Sequence, residues 1–499
     1  MKTKPVERFV TKAAGVYLLV ILLMVTFCEK AFRGLYHTNS LLRNAALLPI
    51  ALAVGVCLWL CVRRCGTSGD RFAKRLWIWF AALLAVQLVI ARSIWFYPGW
   101  DVESVYTSAQ ALARGEALDQ AYFRLCGNNA PLTVLLSVPL WLADRLGMAV
   151  PYAVLPYLGA ISTNAACFVG MLCVCRLTEN AAARWFALIA ETAWIALSAM
   201  MTIPYTDTFA VLFPMLAFYT FLGKRKPFVR WLLISLFCGI GAMIKPTVMI
   251  VWIAMLLLTA IRRLPWQLRS RAFWRRAGSI ALALLLGVLP CKLMEKAALQ
   301  LTSGTTSADG QLGAAHYLMM GMNGETYGGH SPDDVAYTTS FPTAAEKTSA
   351  DLSRAWERLR SRSLAENLRF FAIKAYKSFS DGTFAMAGSF IIKEDVIRTD
   401  TLSVLLRNVY RERGDWNRLF STVEQGIWLL LLSMCALGFL LGESSRFTAV
   451  MALTLVGLSC YLLLFETWPR YIFVYAPLFV AAATGALTIR RRGASPAAD

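Results

Sequence analysis

The sequence contains few charged residues for its length. Only 16% of its 499 residues are Asp, Glu, Lys or Arg, whereas about 25% is usual in a soluble globular protein. Hydrophobic residues make up 58% of the chain, and several apolar runs approach or exceed the roughly 20 residues that a spanning helix needs. The scarcity of charge therefore excludes an ordinary soluble domain and predicts an all-α, polytopic membrane protein.

Histidine is also scarce. The chain has only three, His37, His316 and His330. We therefore expect no metal centre built from histidine ligands. A divalent cation held by carboxylates, such as Mg²⁺ or Mn²⁺, stays an alternative.

The twelve cysteines lack the spacing of a metal knuckle or a disulfide framework. Cys57, Cys61 and Cys65 are four residues apart, which places them on one face of a helix, and most others lie inside apolar runs. Only Cys126 clearly lies in a polar loop. We predict that most cysteines are small apolar packing residues.

Two further features are missing. The first apolar run, "AAGVYLLVILLMVTF", is followed by "CEKAFRGLYH" and therefore lacks a small-residue cleavage site, which predicts a retained first span instead of a removed signal peptide. The chain also has no internal repeat of the kind that builds transporters from two matched halves.

The net charge of +20 is concentrated in short connections between apolar runs. Examples are "MKTKPVERFVTK", "KRKPFVR" and "IRRLPWQLRSRAFWRR", whereas the long polar segment 295–425 is close to neutral. Because basic loops mark the cytoplasmic side of a membrane protein, this charge indicates topology, and we expect no nucleic-acid partner.

Apolar length and the basic loops together predict about twelve spans with both termini in the cytoplasm. These predicted spans are 13–30, 45–62, 76–95, 150–175, 183–203, 205–222, 231–245, 247–261, 277–294, 426–441, 447–464 and 471–489. Residues 131–146 are too short to cross once Asp144, Arg145 and Pro139 are considered, so we interpret them as a re-entrant or interfacial helix. Counting them as a span would invert everything downstream.

This topology divides the chain into three parts. Residues 1–294 form a transmembrane module whose outer loop is 96–149. Residues 295–425 form a small, mainly helical extracytoplasmic domain, in which Leu352, Trp356, Leu359 and Leu364 mark an apolar stripe. Residues 426–499 supply the last helices and a short cytoplasmic tail of a multi-pass cell-membrane protein.

Five ionisable residues are predicted to lie together on the outer face. Asp101 and Glu103 follow the third span, Asp207 the fifth, Lys245 lies between the seventh and eighth, and Arg470 precedes the last. Charges at a membrane boundary are costly unless they are solvated, paired or functional. Carboxylates there can accept a proton or hold a divalent cation, and Lys and Arg bind phosphate oxygens. This combination suits displacement at a carbon that bears a phosphate leaving group.

The stretch "YPGWDVESVYTSAQAL" resembles the first outer-loop acidic motif of the GT-C superfamily of glycosyltransferases. This superfamily uses polyprenyl-phosphate sugars and includes protein O-mannosyltransferases and aminoarabinose transferases. Other segments resemble members in the same order: "CGNNAPL", "IPYTDT", "IKPTVMI", "MGMNGETYGGHSPDDV" and "ETWPRYIFVYAPLFV". In one departure, Val102 separates Asp101 from Glu103, where many relatives have adjacent acids, so in a helix the two acids point in different directions.

The resemblance implies a GT-C-type helix bundle and an inverting transfer of sugar from a polyprenyl-phosphate donor to a hydroxyl acceptor. Asp101 would be the general base, and Arg470 and Lys245 would stabilise the departing phosphate. Glu103 and Asp207 would orient substrate, and a divalent cation, if used, would bind Asp101, Glu103 or Asp207. Further substrate-binding residues implied by the matched segments are Asn128, Asn129, Asn323, His330 and Tyr471.

The implied partners are the lipid-linked donor, the bilayer, and an envelope glycan, protein or lipid as acceptor. One alternative is a transporter or flippase for a lipid-linked sugar, and another is a non-catalytic assembly or polymer-export partner, in which the Asp101 carboxylate would be dispensable. A transporter would have broken spans, and its ionisable residues would lie near the middle of its helices. The candidate residues here lie at predicted helix ends.

Overall fold

The structure is a computed structural model, and it describes residues 5–32, 39–63, 69–267, 270–386, 392–394, 398–412 and 414–489. Cys65, His37, the terminal "RRR" and parts of the basic connections lie outside the described residues. The α-helices are α1 Pro5–Phe27, α2 Glu29–Phe32, α3 Asn44–Val62, α4 Gly69–Ile94, α5 Trp100–Arg114, α6 Gln120–Leu125, α7 Ala130–Arg145, α8 Val154–Leu177, α9 Ala181–Ala190, α10 Thr206–Ala210, α11 Leu212–Leu222, α12 Pro227–Ile244, α13 Met249–Gln267, α14 Arg271–Ser303, α15 Ala314–Gly321, α16 Pro332–Thr339, α17 Ala344–Arg360, α18 Leu364–Phe379, α19 Thr401–Tyr410, α20 Asn417–Leu441, α21 Arg446–Leu464 and α22 Ala476–Ala483.

Among the described residues, nine helical segments are long and apolar enough to cross a membrane. Two shorter apolar helices, Thr206–Leu222 and Pro246–Ile261, accompany them. The predicted class is therefore confirmed: the chain is an all-α, polytopic membrane protein in contact with the lipid bilayer.

The helices differ in how much of their surface the protein itself covers. Only 17% of the apolar window is buried in α3 and in α14, whereas 72% is buried in α20 and 78% in the last segment, Pro469–Thr488. Leu285, Leu289 and Leu293 on α14 are about half exposed. Since lipid tails are as apolar as leucine, such exposed faces suit the bilayer, while α20 and the last segment form the centre of the bundle.

One lysine ties the start of the chain to the end of α20. Lys12, on α1, donates hydrogen bonds to the carbonyl oxygens of Leu440 (2.8 Å) and Gly442 (2.9 Å). Its ammonium group therefore satisfies acceptors that the end of α20 leaves free. This contact places the start of α1 and the end of α20 at the same end of the bundle, which is the arrangement that the predicted topology requires.

The predicted span 183–203 is not one regular helix. It consists of α9, a π-helical turn at Glu191–Ala196 and a 3₁₀ turn at Ala199–Thr202. Gln87 donates to the carbonyl oxygen of Ala196 (2.7 Å) and so satisfies an acceptor where the α-helical pattern is interrupted. The apolar composition of this segment did not reveal the interruption.

The run that we interpreted as non-spanning forms α7, a helix of 16 residues with Pro139 inside it. At 1.5 Å per residue it is roughly 24 Å long, shorter than a hydrocarbon core of about 30 Å. At its end, Asp144 forms an ion pair with Arg114 of α5 at 2.9 Å. The predicted outer loop is thus a helical hairpin in which α5 and α7 pack on each other.

The segment 314–379 forms a small helical unit of α15, α16, α17 and α18. Its core consists of Met319, Met322, Ala355 and Phe370. The stripe predicted on α17 and α18 is not part of this core, because Leu352, Trp356 and Leu364 are 46%, 53% and 77% exposed. Residues between the stripe positions, such as Ala355, supply the buried face of this unit.

Several contacts join the predicted outer segments, among them two between distant parts of the backbone. A short antiparallel pair links β1, Tyr97–Pro98, to β2, Ile392–Glu394. At the second of these contacts, the last residue of α15, Gly321, lies directly against the backbone that follows α21: a Cβ atom there would lie 2.2 Å from the carbonyl oxygen of Leu464.

We expect the substitution Gly321→Ala to loosen this junction. The added methyl meets backbone and not a flexible side chain, so it costs about 1–3 kcal/mol of stability. Thermal unfolding of the purified protein measures this loss, and proteolysis of the 314–379 unit should become faster. The control is Gly278→Ala in α14, where a Cβ meets nothing within 4 Å. An unchanged melting temperature for Gly321→Ala would contradict the close approach.

Candidate functional site

The carboxylate of Asp101 lies in the first turn of α5 and is exposed to solvent. The positive end of the helix dipole stabilises an anion at this position. Trp100, which begins the helix, has a φ of +58°, a left-handed conformation that is strained for a residue with a side chain. A strained residue directly before an exposed carboxylate is typical of a functional site.

Two tyrosines hold the Asp101 carboxylate. Tyr122 donates a hydrogen bond to Oδ1 at 3.0 Å, and Tyr205 donates to Oδ2 at 3.3 Å. Asn129, which is 1% exposed, donates to the Tyr122 hydroxyl at 2.6 Å. Burial, and then the charge of Asp101, raises the pKa of Tyr122 above the usual value. Both tyrosine hydroxyls act as donors to a carboxylate that stays accessible.

Asp207 is the centre of a buried ion triad. Its Oδ1 lies 2.7 Å from Nζ of Lys245, and its Oδ2 lies 3.2 Å from Nη1 of Arg470. The Asp207 side chain is 1% exposed, and those of Lys245 and Arg470 are 10% and 15% exposed. One buried carboxylate thus holds two cations, and each of these cationic side chains is slightly exposed.

Tyr205 connects the two groups. Its hydroxyl bonds to Asp101, and the Arg470 guanidinium lies 5.5 Å from the centre of its ring. Tyr471 completes the cationic side, because Nζ of Lys245 lies 4.1 Å from its ring centre and its hydroxyl donates to Oε2 of Glu466 at 2.8 Å. Asp101, Asp207, Lys245, Arg470 and Tyr471, predicted from distant parts of the sequence, therefore lie in one chain of contacts.

Residues of the helical unit 314–379, the predicted outer unit, also lie near the site. Tyr317 on α15 has both Asp101 and Glu466 as electrostatic neighbours, and burial, more than these charges, raises its pKa. From the Gly-rich segment after α15, the exposed His330 brings its ring to 6.5 Å from that of Trp100. The outer unit therefore forms one wall of the site.

The other predicted substrate-binding residues lie further from this chain of contacts. Glu103 is separated from Asp101 by roughly 200° around the axis of α5, as two residues in a helix must be. Asn128 is exposed, and its amide donates to Asn129 at 3.4 Å. Asn323 is buried and donates to Asp334 at 3.0 Å, so it fixes the turn after α15.

The arrangement of carboxylates does not match a divalent-cation site. In the part of the chain that the structure describes, no three His, Cys, Asp or Glu side chains converge as metal ligands do. Both oxygens of Asp207 face cations, and Glu103 points away from Asp101. We therefore assign no step to a metal ion.

Sequence reasoning missed several residues of the site. Tyr122, Tyr205, Tyr317 and Glu466 all have contacts or electrostatic interactions with its charged groups. Tyr205 is two residues before Asp207, and Glu466 is four before Arg470, so both lie inside segments that were already singled out. The tyrosines gave no signal, because tyrosines at membrane boundaries are common.

Comparison with known families gives a match over most of the chain. The family model described as a conserved hypothetical integral membrane protein covers residues 35–489 of this chain. No curated protein and no solved structure matches it. The matched region contains every residue of the site described above. The chain therefore belongs to this family of conserved hypothetical integral membrane proteins.

Proposed function

We propose that the protein is an inverting glycosyltransferase of GT-C type that takes a sugar from a polyprenyl-phosphate donor. The observation that supports this most directly is the link from Asp101 through Tyr205 to Arg470. It places an exposed carboxylate beside two buried cations, which is the pairing that a proton acceptor and a phosphate leaving group require.

The proposed reaction is a displacement at the anomeric carbon of the donor sugar. The acceptor hydroxyl forms the new bond to this carbon while its proton passes to Asp101. The bond from the carbon to the phosphate oxygen breaks, and its electron pair stays on the polyprenyl phosphate. Lys245 and Arg470 stabilise the charge that develops there, and attack opposite the leaving group inverts the configuration.

A twelve-span topology with the site on the extracytoplasmic face belongs to the same proposal. In this topology, the nine long candidates and the two shorter apolar helices among the described residues would be eleven of the twelve spans. The interrupted segment 181–202 would be the remaining one. The acceptor would then be an envelope glycan, protein or lipid outside the cytoplasm.

One observation favours the second candidate, a transporter or flippase for a lipid-linked sugar. Glu191 is fully buried at the start of the π-helical turn, inside an interrupted apolar segment. Buried ionisable residues and broken spans are typical of transport proteins. The two proposals differ in their product: a glycosyltransferase makes a new glycosidic bond, and a flippase only moves its lipid between leaflets.

The function is tested with purified protein in liposomes that contain a polyprenyl-phosphate sugar. We expect release of polyprenyl phosphate when envelope acceptors are present. Movement of intact donor between leaflets without release would favour the flippase and contradict the transferase.

We expect Arg470→Gln to weaken donor use. Loss of one charged hydrogen bond to phosphate costs about 1.5–3 kcal/mol, or roughly ten- to a hundredfold in kcat/KM for the donor. Lys245 still pairs with Asp207 in this variant, so the fold should persist. Donor kinetics equal to those of the unsubstituted protein would remove Arg470 from the site.

A further inference from the structure

Two lysines of the helical unit 314–379 are buried against the loop that follows α21. Lys374 and Lys377, on α18, are 0% and 8% exposed. Lys374 donates to the carbonyl oxygens of Gly321 (2.6 Å) and Phe465 (2.8 Å). It therefore braces the end of α15 against the loop that follows α21, which is a structural task.

Lys377 has a different environment. Its ammonium group donates to the carbonyl oxygen of Thr326 at 3.3 Å and lies 4.5 Å from the ring centre of Trp468. An ammonium group has three N–H donors, so the contacts seen among the described residues leave Lys377 able to bind another acceptor. The ring of Trp468 holds it beside the loop that leads to Arg470, two residues further on.

The charges around this loop do not balance. Glu466 acts electrostatically on Lys245, Lys374, Lys377 and Arg470. With Asp207, two carboxylates thus stand among these four basic side chains, and the third carboxylate of the site, Asp101, is exposed to solvent. Burying cations in excess of their partners is costly, and an anionic ligand would offset that cost.

We propose that Lys377 is a third cationic ligand, with Lys245 and Arg470, for the phosphate group of the substrate. The outer unit thereby completes a site that the membrane helices begin. Naming the phosphate carrier as a polyprenyl lipid rests on the proposed function, whereas the binding of a phosphate group does not. A phosphate monoester carries about −1.5 to −2 charges at pH 7, so the leaving group suits an excess of cations.

A phosphate ligand and a residue that only supports the fold would affect different measured quantities. Because the phosphate gains negative charge as the bond to the sugar breaks, Lys377 should stabilise the leaving group more than the intact donor. Its loss should therefore lower kcat as well as donor affinity. A residue that only holds the fold would instead lower the amount of active protein and leave the affinity of the folded fraction intact.

The test measures equilibrium binding to the full chain in nanodiscs of zwitterionic lipid. The probes are a polyprenyl monophosphate, the matching polyprenol without phosphate, and inorganic phosphate. We expect Lys377→Met to weaken polyprenyl monophosphate binding roughly ten- to a hundredfold and to leave polyprenol binding unchanged. The control Arg369→Met removes the same charge from an exposed position on the same helix and should leave both affinities unchanged.

The outcomes separate this proposal from the proposed function. Lys377-dependent binding of either phosphate probe supports the site, and a preference for the polyprenyl form identifies a lipid as the carrier. Binding that depends on Lys377, together with no sugar transfer, would overturn the function and keep the site. Unchanged affinity for both phosphate probes in Lys377→Met, or an equal loss in Arg369→Met, would overturn the site.

Proton uptake gives a second measurement that does not rely on the methionine variant folding. Burial lowers the pKa of Lys377 to about 8, and Glu466 opposes this shift. Lys374, on the same helix, has its own pKa lowered to about 7 by burial and then by the charge of Lys377. The Gly-rich segment presents the carbonyl of Thr326 to Lys377.

A bound anion should raise the pKa of Lys377, so binding near pH 8.5 should take up a proton, and affinity should fall as the pH rises above 8. Calorimetry in buffers of different ionisation enthalpy measures the uptake. Lys377→Arg keeps the charge at all these pH values and should bind phosphate with less proton uptake. Equal uptake by Lys377→Arg and the unsubstituted protein would contradict the assignment.

Discussion

Asp101→Asn should reduce sugar transfer by about 10²- to 10⁴-fold, the range typical of a lost general base. The amide keeps the size of the side chain, and its oxygen can still accept a hydrogen bond from Tyr122 or Tyr205. It cannot take up the proton of the acceptor hydroxyl. We therefore expect kcat to fall while donor binding persists, because Lys245, Arg470 and Lys377 are unchanged.

The measurement is initial transfer rate and donor affinity in the same liposome preparation. The matched control is Glu116→Gln, an exposed acid in the same outer loop, which should transfer at the original rate. Transfer by Asp101→Asn within a few-fold of the unsubstituted protein would show that another group accepts the proton, and the base assignment would be wrong.

Asp207→Asn should have the largest effect on stability. The substitution leaves Lys245 and Arg470 buried without their shared counter-ion. Removing one partner from a buried ion pair costs about 3–5 kcal/mol, because the remaining charges stay desolvated. We expect a marked fall in the unfolding temperature in detergent and a low yield of folded protein.

A second substitution distinguishes this cause from a loss of packing. Replacing Lys245 as well, in Asp207→Asn/Lys245→Met, removes one of the stranded cations and should recover part of the stability, which is a non-additive result. The control Asp144→Asn breaks the exposed pair with Arg114 and should change stability little. Additive losses in the double variant would mean that the triad is not the source of the effect.

The expected phenotypes of Asp101 and Asp207 differ because their surroundings differ. Both are acids that the sequence predicted to lie on the outer face as site residues. Asp101 is exposed and hydrogen-bonded, so it can meet a substrate, whereas Asp207 has a side chain that is 1% exposed and holds cations in place. Within the proposed function, Asp207 is therefore a positioning residue, and the cations that it holds contact the phosphate.

The sequence by itself determined the class of the protein and much of the membership of the site. Low charge and long apolar runs indicate which segments lie in the bilayer. This can be recognised without knowing which residues are in contact. The stretch after Pro98 and Gly99 is helical, so Asp101 and Glu103 point in different directions. The sequence already predicted this difference, because Val102 separates the two acids.

Only the tertiary structure decided which polar groups touch. Arg470 and Asp207 are 263 residues apart in the chain and meet in the triad, and Tyr205 contributes at once to Asp101 and to Arg470. Lys377, on a separate helical unit, lies 4.5 Å from the ring centre of Trp468, two residues before Arg470. Periodicity and composition are local properties, whereas burial and ion pairing depend on how distant segments pack, so the partners of each charge could not be predicted from the sequence.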